Sequence, residues 1–127
     1  QNNEPKIFIA GGIGITPLAG VIEEYGNKDT YLLNCNRTTS EAVERDLLIQ
    51  KLGDTYTDVL SEEKTKSPQI ENGFLTAAII KKRIPENILL NAPIFFCGNK
   101  KFYEITKTNL IKLGVKKENI FYEEFSL

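Results

Sequence analysis

The sequence predicts an α/β domain: a three-layer αβα, Rossmann-like arrangement around a five-stranded parallel sheet. Three observations point to it. Strand-like and helix-like stretches alternate from end to end. An apolar strand, Lys6-Ile7-Phe8-Ile9, runs straight into the glycine-rich turn Ala10-Gly11-Gly12-Ile13-Gly14-Ile15 and then into a helix opening at Thr16-Pro17. Further on, Ile94-Phe95-Phe96-Cys97 is a continuous apolar run, as a strand covered on both faces requires.

The elements follow in order. Leu18, Val21, Ile22 and Tyr25 recur at i, i+3, i+4, i+7 and predict the first helix, with Thr16 as N-cap, Pro17 at the first helical position and Gly26 as its end. Thr30 to Cys35 reads as the second strand. Thr38-x-x-Glu41 has the spacing of a capping box for a helix carrying Val43, Leu47, Leu48 and Leu52. Thr55 to Leu60 alternates as a third strand, and Glu62 to Asn72, polar and containing Pro68, reads as a loop. Leu75 to Arg83 predicts a short helix stopped by Pro85. The apolar run at Ile94 is the fourth strand; Phe102, Ile105, Leu110 and Leu113 mark a helix closed by Gly114; Ile120 to Phe125 is the fifth strand.

Composition narrows the function. The chain has 127 residues, 16 basic and 17 acidic, for a net charge of −1. The charges are interspersed, so no basic stripe suits nucleic acid, and no apolar run is long enough to span a membrane. With no histidine, Ser-His-Asp and Cys-His catalysis and the commonest zinc ligand set are excluded, and no metal site is read. Two cysteines, Cys35 and Cys97, make no disulfide framework, which suggests a reducing, cytoplasmic setting. Methionine is absent, so residue 1 is no translation start and the chain reads as a piece of a longer protein.

The glycine turn carries the chemistry. Where a strand, a glycine turn and a helix N-terminus meet without slack, free N–H groups and a partial positive charge converge on one spot, which suits a diphosphate. The generic dinucleotide fingerprint is not met: Pro17 stands where a third glycine belongs, and Asn34-Cys35-Asn36 at the next strand end carries no carboxylate. In such sheets ligands bind outside the carboxyl ends of the strands, at the switch point. Cys97-Gly98-Asn99 occupies a second such end.

These two ends together give a resemblance. Ala10 through Pro17, Asn36-Arg37-Thr38, Val59-Leu60-Ser61, Phe96-Cys97-Gly98-Asn99 and Tyr122-Glu123-Glu124-Phe125 occur in the order found in the NAD(P)-binding module of the ferredoxin reductase family of flavoenzymes, and the chain resembles that module over nearly its whole length. The resemblance implies that residues 1–127 are a nicotinamide-dinucleotide-binding domain, with a flavin-binding β-barrel upstream. The activity it implies is that of an NAD(P)H-dependent flavin oxidoreductase: hydride passes from the nucleotide to FAD or FMN on the missing domain. The onward acceptor would be a flavodoxin, ferredoxin, haem or iron–sulfur protein.

The resemblance also assigns residues. Gly12, Gly14 and Thr16 would hold the diphosphate, and Ser61 and Glu62 would frame the adenosine ribose. Arg37 would contact a phosphate or the adenine, and Gly11, Pro17 and Asn36 would be further cofactor-binding residues. Cys97 and Gly98 would sit against the nicotinamide, with Asn99 a further cofactor-binding residue. Glu123 matches a carboxylate near the flavin contact, and Phe125 an aromatic that covers a ring there. Cys97 and Glu123 are therefore the catalytic candidates, though read alone they are a buried strand-end cysteine and an edge-strand charge. Two departures stand out. Lys100 follows Asn99 where the family often has proline, and Glu62 follows Ser61 where NADPH-using members commonly have arginine. A carboxylate at that point repels a 2′-phosphate, which favours NADH over NADPH; a solvated loop charge is the other reading of Glu62. The competing function is a non-catalytic nucleotide-binding or regulatory domain of the same fold.

Overall fold

The computed structural model describes residues 4–124. Six parallel strands form one sheet in the order β4-β3-β2-β1-β5-β6: β1 Lys6–Gly11, β2 Thr30–Asn36, β3 Tyr56–Leu60, β4 Ile70–Asn72, β5 Ile94–Gly98 and β6 Ile120–Glu124. The helices are α1 Ile15–Tyr25, α2 Arg45–Leu52, α3 Ala77–Arg83, α4 Glu86–Asn91 and α5 Lys100–Lys112. Alternation along β1 divides the core. Ile7 and Ile9 point to one face with Leu33, Phe96, Ile80 of α3, Leu89 of α4 and Leu110 of α5. Phe8 and Ala10 point to the other with Leu32, Tyr56, Ile22 of α1 and Leu48 of α2. The chain winds outward from β1 to β4, then returns to β5 on the far side of β1, so the switch point lies between β1 and β5.

The three-layer class is as the sequence predicts, but the sheet has six strands rather than five. The extra one, β4, lies inside the stretch 62–72 expected to be loop; it pairs with β3 through Asp58↔Ile70, Val59↔Glu71 and Leu60↔Asn72. Three residues are too few to show a period, and Glu71 hid it further by serving as the ion-pair partner of Arg83 (2.7 Å) and Lys82 (2.9 Å).

Helix starts differ as well. A 3-10 turn over Gly12–Gly14 precedes α1, and Gly14, not Thr16, is its N-cap. Pro17 still falls within the first turn, where a missing N–H costs nothing. The buried stripe of α1 is Ile15, Ala19 and Ile22, whereas Val21 and Tyr25 are exposed. The capping box does not form: Glu41 is taken by Arg37, Thr38 makes no capping bond, and α2 begins only after Glu44, which sits at φ 58. Val43 and Leu47 are therefore exposed while Leu48 and Leu52 are buried. Pro85 does more than stop α3: its carbonyl accepts from Leu89 N–H at 2.8 Å and opens α4. Lys100 does no harm to α5, because Asn99 Oδ1 accepts from Phe102 N–H at 2.8 Å and caps the helix. Gly114, at φ 99, closes it.

Cys35 lies opposite Gly11 on β2 and Cys97 opposite Ala10 on β5, so β1 separates the two thiols, and both are free. Two strand spacings amount to roughly 9–10 Å, beyond the about 7 Å a disulfide tolerates between Cα atoms. Burial raises the pKa of both, and Glu123 adds to the rise at Cys97. Thiol titration with an aromatic disulfide should thus find two thiols per unfolded chain and slow reaction of both in the folded one; an intramolecular disulfide would contradict the strand order.

Candidate nucleotide-binding site

The carboxyl ends of β1, β2 and β3 and the start of α5 enclose a cleft of ≈ 360 Å³. Gly11, Gly12, Asn36, Arg37, Ser61 and Asn99 line it, together with Cys35, Val59, Gly73, Phe74, Leu75 and Phe102. An apolar floor with a few polar groups at its rim is what a small-molecule site needs.

The three glycines of the turn have three different reasons to be glycine. Gly12 turns the chain at φ 60, is exposed, and has open space where a Cβ would be. Its lack of a side chain leaves the backbone accessible from the cleft beside the N-terminus of α1, where first-turn N–H groups have no helical partner. Gly11 makes room for the Phe102 ring, which a Cβ would meet at 2.5 Å. Gly14 is buried, and a Cβ there would lie 2.2 Å from the Cys97 carbonyl oxygen. Its bareness serves the packing of the turn on β5, not the approach of a ligand. Thr16 and Pro17 are exposed on the first turn of α1, outside the lining of the cleft.

The ladder between β2 and β3 runs past the strand ends. Ser61 N–H donates to Asn36 O at 3.1 Å and Glu62 N–H to Arg37 O at 2.9 Å, which sets Asn36-Arg37 beside Ser61-Glu62. The Arg37 guanidinium is held by both carboxylate oxygens of Glu41. That hydrogen bond, the Glu41 charge and then the Glu62 charge hold its pKa above the ordinary value. Glu63 ties the two loops together: it accepts from Thr65 and, at 2.8 Å, from Thr39 N–H, and its pKa is lowered by these bonds, Thr65 first.

A buried polar chain starts at the cleft. Asn36 Nδ2 donates to Asn34 Oδ1 (3.1 Å), Asn34 Nδ2 to Tyr56 Oη (3.0 Å), Tyr56 O–H to Asp58 Oδ1 (2.6 Å), and Arg45 Nε to Asp58 Oδ2 (2.7 Å). Burial first, then Asp58, raises the Tyr56 pKa far above the ordinary phenol value, so this hydroxyl stays protonated.

The nicotinamide candidates sit at the neighbouring end of the sheet. Cys97, 1 % exposed, is in register with Glu123, and Gly98 with Glu124. Neither Cys97, Gly98 nor Glu123 lines the cleft; Glu123 is exposed on the edge strand. Phe125 lies outside the described residues. The structure therefore gathers Gly11, Gly12, Asn36, Arg37, Ser61 and Asn99 in one place, with Glu62 beside them, and leaves Cys97 and Glu123 outside it, on β5 and the edge strand β6.

Phe74 escaped the sequence reading. It is 78 % exposed, and it stands over the cleft because Gly73, at φ 109, turns the chain after donating its N–H to Leu60 O at 2.8 Å. The Gly-Phe pair at the end of a polar stretch was its only signal.

Helices on both faces of a parallel sheet, a glycine turn after β1 and a cleft beside the β1/β5 switch point define a nucleotide-binding domain of the ferredoxin reductase type. The chain belongs to the oxidoreductase NAD-binding domain family, whose model matches residues 8–108. It is 28% identical over 133 residues to a flavohemoprotein of Bacillus cereus, covering 95% of this chain and 32% of that protein. It is 29% identical over 127 residues to NADH-cytochrome b5 reductase 2 of Danio rerio, covering 90% and 40%. Among solved structures it matches a flavohemoglobin from Malassezia yamatoensis with bound FAD and heme, with a TM-score of 0.77, 27% identity, and 99% and 33% coverage. It also matches the FAD/NAD-binding domain of nitric oxide dioxygenase from Vibrio cholerae, with a TM-score of 0.79, 21% identity, and 98% and 52% coverage. The chain spans about a third of the length of the flavohemoproteins it matches. Among the described residues no helix is long and apolar enough to cross a membrane.

Proposed function

We propose that this domain binds NADH and presents it for hydride transfer to a flavin carried by another domain of the same protein. The observation that carries the reading is the cleft itself, which brings together Gly11 and Gly12 of the glycine turn, Asn36, Arg37 and Ser61 at the ends of β2 and β3, and Phe74. The diphosphate would rest on Gly12 and the first turn of α1, with Thr16 and Pro17 at its margin. The ribose would meet Asn36 and Ser61, and the adenine would face the Phe74 ring. The nicotinamide would extend past Asn99 toward Gly98, Cys97 and Glu123, with Phe125 following. Cys97 there offers a neutral, protonated sulfur, and Glu123 a carboxylate at the domain edge. The flavin, FAD or FMN, would accept the hydride. Onward transfer to haem, flavodoxin, ferredoxin or an iron–sulfur protein follows from the company the family keeps. The two free thiols suit a cytoplasmic setting.

The preference for NADH rests on charge. Arg37 is already committed to Glu41, and Glu62 adds a second carboxylate beside it. A 2′-phosphate would have to displace Glu41 and approach Glu62. Titration calorimetry should therefore show tighter binding of ADP-ribose than of 2′-phospho-ADP-ribose. The margin is a few-fold, because exposed charges are screened. Glu62→Arg should narrow or invert it, since guanidinium matches phosphate in a bidentate way. A preference of the wild type for the phosphorylated ligand would refute the NADH assignment.

A further inference from the structure

The buried chain from Arg45 to Asn36 has a direction, and the direction ends in the cleft. Asp58 is fully buried and ion-paired with Arg45, so it accepts from Tyr56. Tyr56 has one proton, which goes to Asp58, so its oxygen must accept from Asn34. That leaves Asn34 with its carbonyl oxygen toward Asn36, which must donate through Nδ2. Each donor thus fixes the next, and an amide flip anywhere would set two donors or two acceptors face to face. Asn36 Oδ1 is left over. Among the described residues it has no hydrogen-bond partner, yet it is not sealed in: of those residues Thr106 Oγ1 alone is a buried side-chain polar atom without one. Asn36 is itself one of the residues lining the cleft.

We propose that Tyr56, acting through Asn34, is a positioning residue that holds the Asn36 amide with its carbonyl oxygen toward the cleft, where it accepts from a ribose hydroxyl and disfavours a ribose phosphate. This rests on the reading of the cleft as the adenosine half of a nucleotide site. A flexible amide could turn its NH2 outward and welcome a phosphate oxygen; a locked one cannot. The specificity would then be set by a side chain that never touches the ligand.

The test is a double-mutant cycle of Tyr56→Phe and Asn36→Ala, titrated with ADP-ribose and with 2′-phospho-ADP-ribose, with circular dichroism to confirm folding. Tyr56→Phe should weaken ADP-ribose by about three- to tenfold, the range of one hydrogen bond. It should leave the phosphorylated ligand unchanged or tighter, so the ratio of affinities narrows. Asn36→Ala should narrow the ratio too, and the pair should lose no more than the larger single effect. A merely structural role for Tyr56 would lower stability, or weaken both ligands equally. Equal weakening, or additive losses, overturns the proposal while the nucleotide reading stands. If Tyr56→Phe does not fold, Asn36→Ala at the rim carries the test alone, and an unchanged ratio there overturns the proposal. A wild type that binds neither ligand removes the nucleotide reading and the proposal with it.

Discussion

Gly14→Ala should cost at least about 3 kcal/mol of stability, the upper end for an overpacked core. The backbone at Gly14 (φ −59, ψ −15) is ordinary right-handed geometry, so no conformational freedom is at stake. The obstacle is contact. The new Cβ would fall 2.2 Å from the Cys97 carbonyl oxygen, 2.6 Å from its carbon and 3.0 Å from Gly98 N, where carbon and oxygen normally keep about 3.3 Å or more apart. Those are backbone atoms of β5, held between β1 and β6 by parallel ladders, and no rotamer change relieves them. Gly12→Ala is the counterpart. It meets nothing within 4 Å, and its cost is the about 1–2 kcal/mol of a left-handed alanine. Urea denaturation of both variants checks the ordering. A Gly14→Ala protein as stable as Gly12→Ala would show that β5 and the turn are not packed as described.

The second large effect is at Arg45. Asp58 is 0% exposed, and Arg45 supplies its only positive partner among the described residues. Arg45→Met would leave a buried carboxylate with the Tyr56 hydroxyl as its remaining donor. Removing one member of a buried pair costs about 3–5 kcal/mol; the lower end applies because the Arg45 side chain is 26% exposed and water can reach the gap. The midpoint in urea should fall with an unchanged slope, and Arg45→Lys should recover part of the loss. A change below about 0.5 kcal/mol would mean that Asp58 is solvated in the folded protein.

These two residues mark the limits of reading the sequence. The strand, glycine turn and helix at the first junction were legible because each signal is local: an apolar run, glycines, a proline in a helix's first turn. The core strands were legible for the same reason, whereas the separation of Cys35 and Cys97 by β1 depends on the strand order. The reasons behind the glycines were not local. Gly11 answers to Phe102 and Gly14 to Cys97, more than eighty residues away, and no spacing within the turn reveals it. Asn34, Tyr56 and Asp58 read as ordinary strand residues, because their pairing depends on the register of β2 against β3. Thr38 and Glu41 had the spacing of a capping box, but Arg37 offered Glu41 a better partner. Of the site, the rim residues Asn36, Arg37, Ser61 and Asn99 came from motifs, while Phe74 is brought there only by β4, a strand too short to be read.

The central claim is that the cleft beside the β1/β5 switch point holds a nicotinamide nucleotide. The most direct measurement is an amide-resolved NMR titration of the domain with ADP-ribose and with NAD. Shifts should concentrate at Gly12, the first turn of α1, Asn36-Arg37, Ser61-Glu62, Gly73-Phe74 and Asn99, with one ligand per chain, and NAD alone should extend them to Cys97-Gly98 and Glu123. Shifts scattered over α2 and the outer face of α5, or none at millimolar ligand, would contradict the claim.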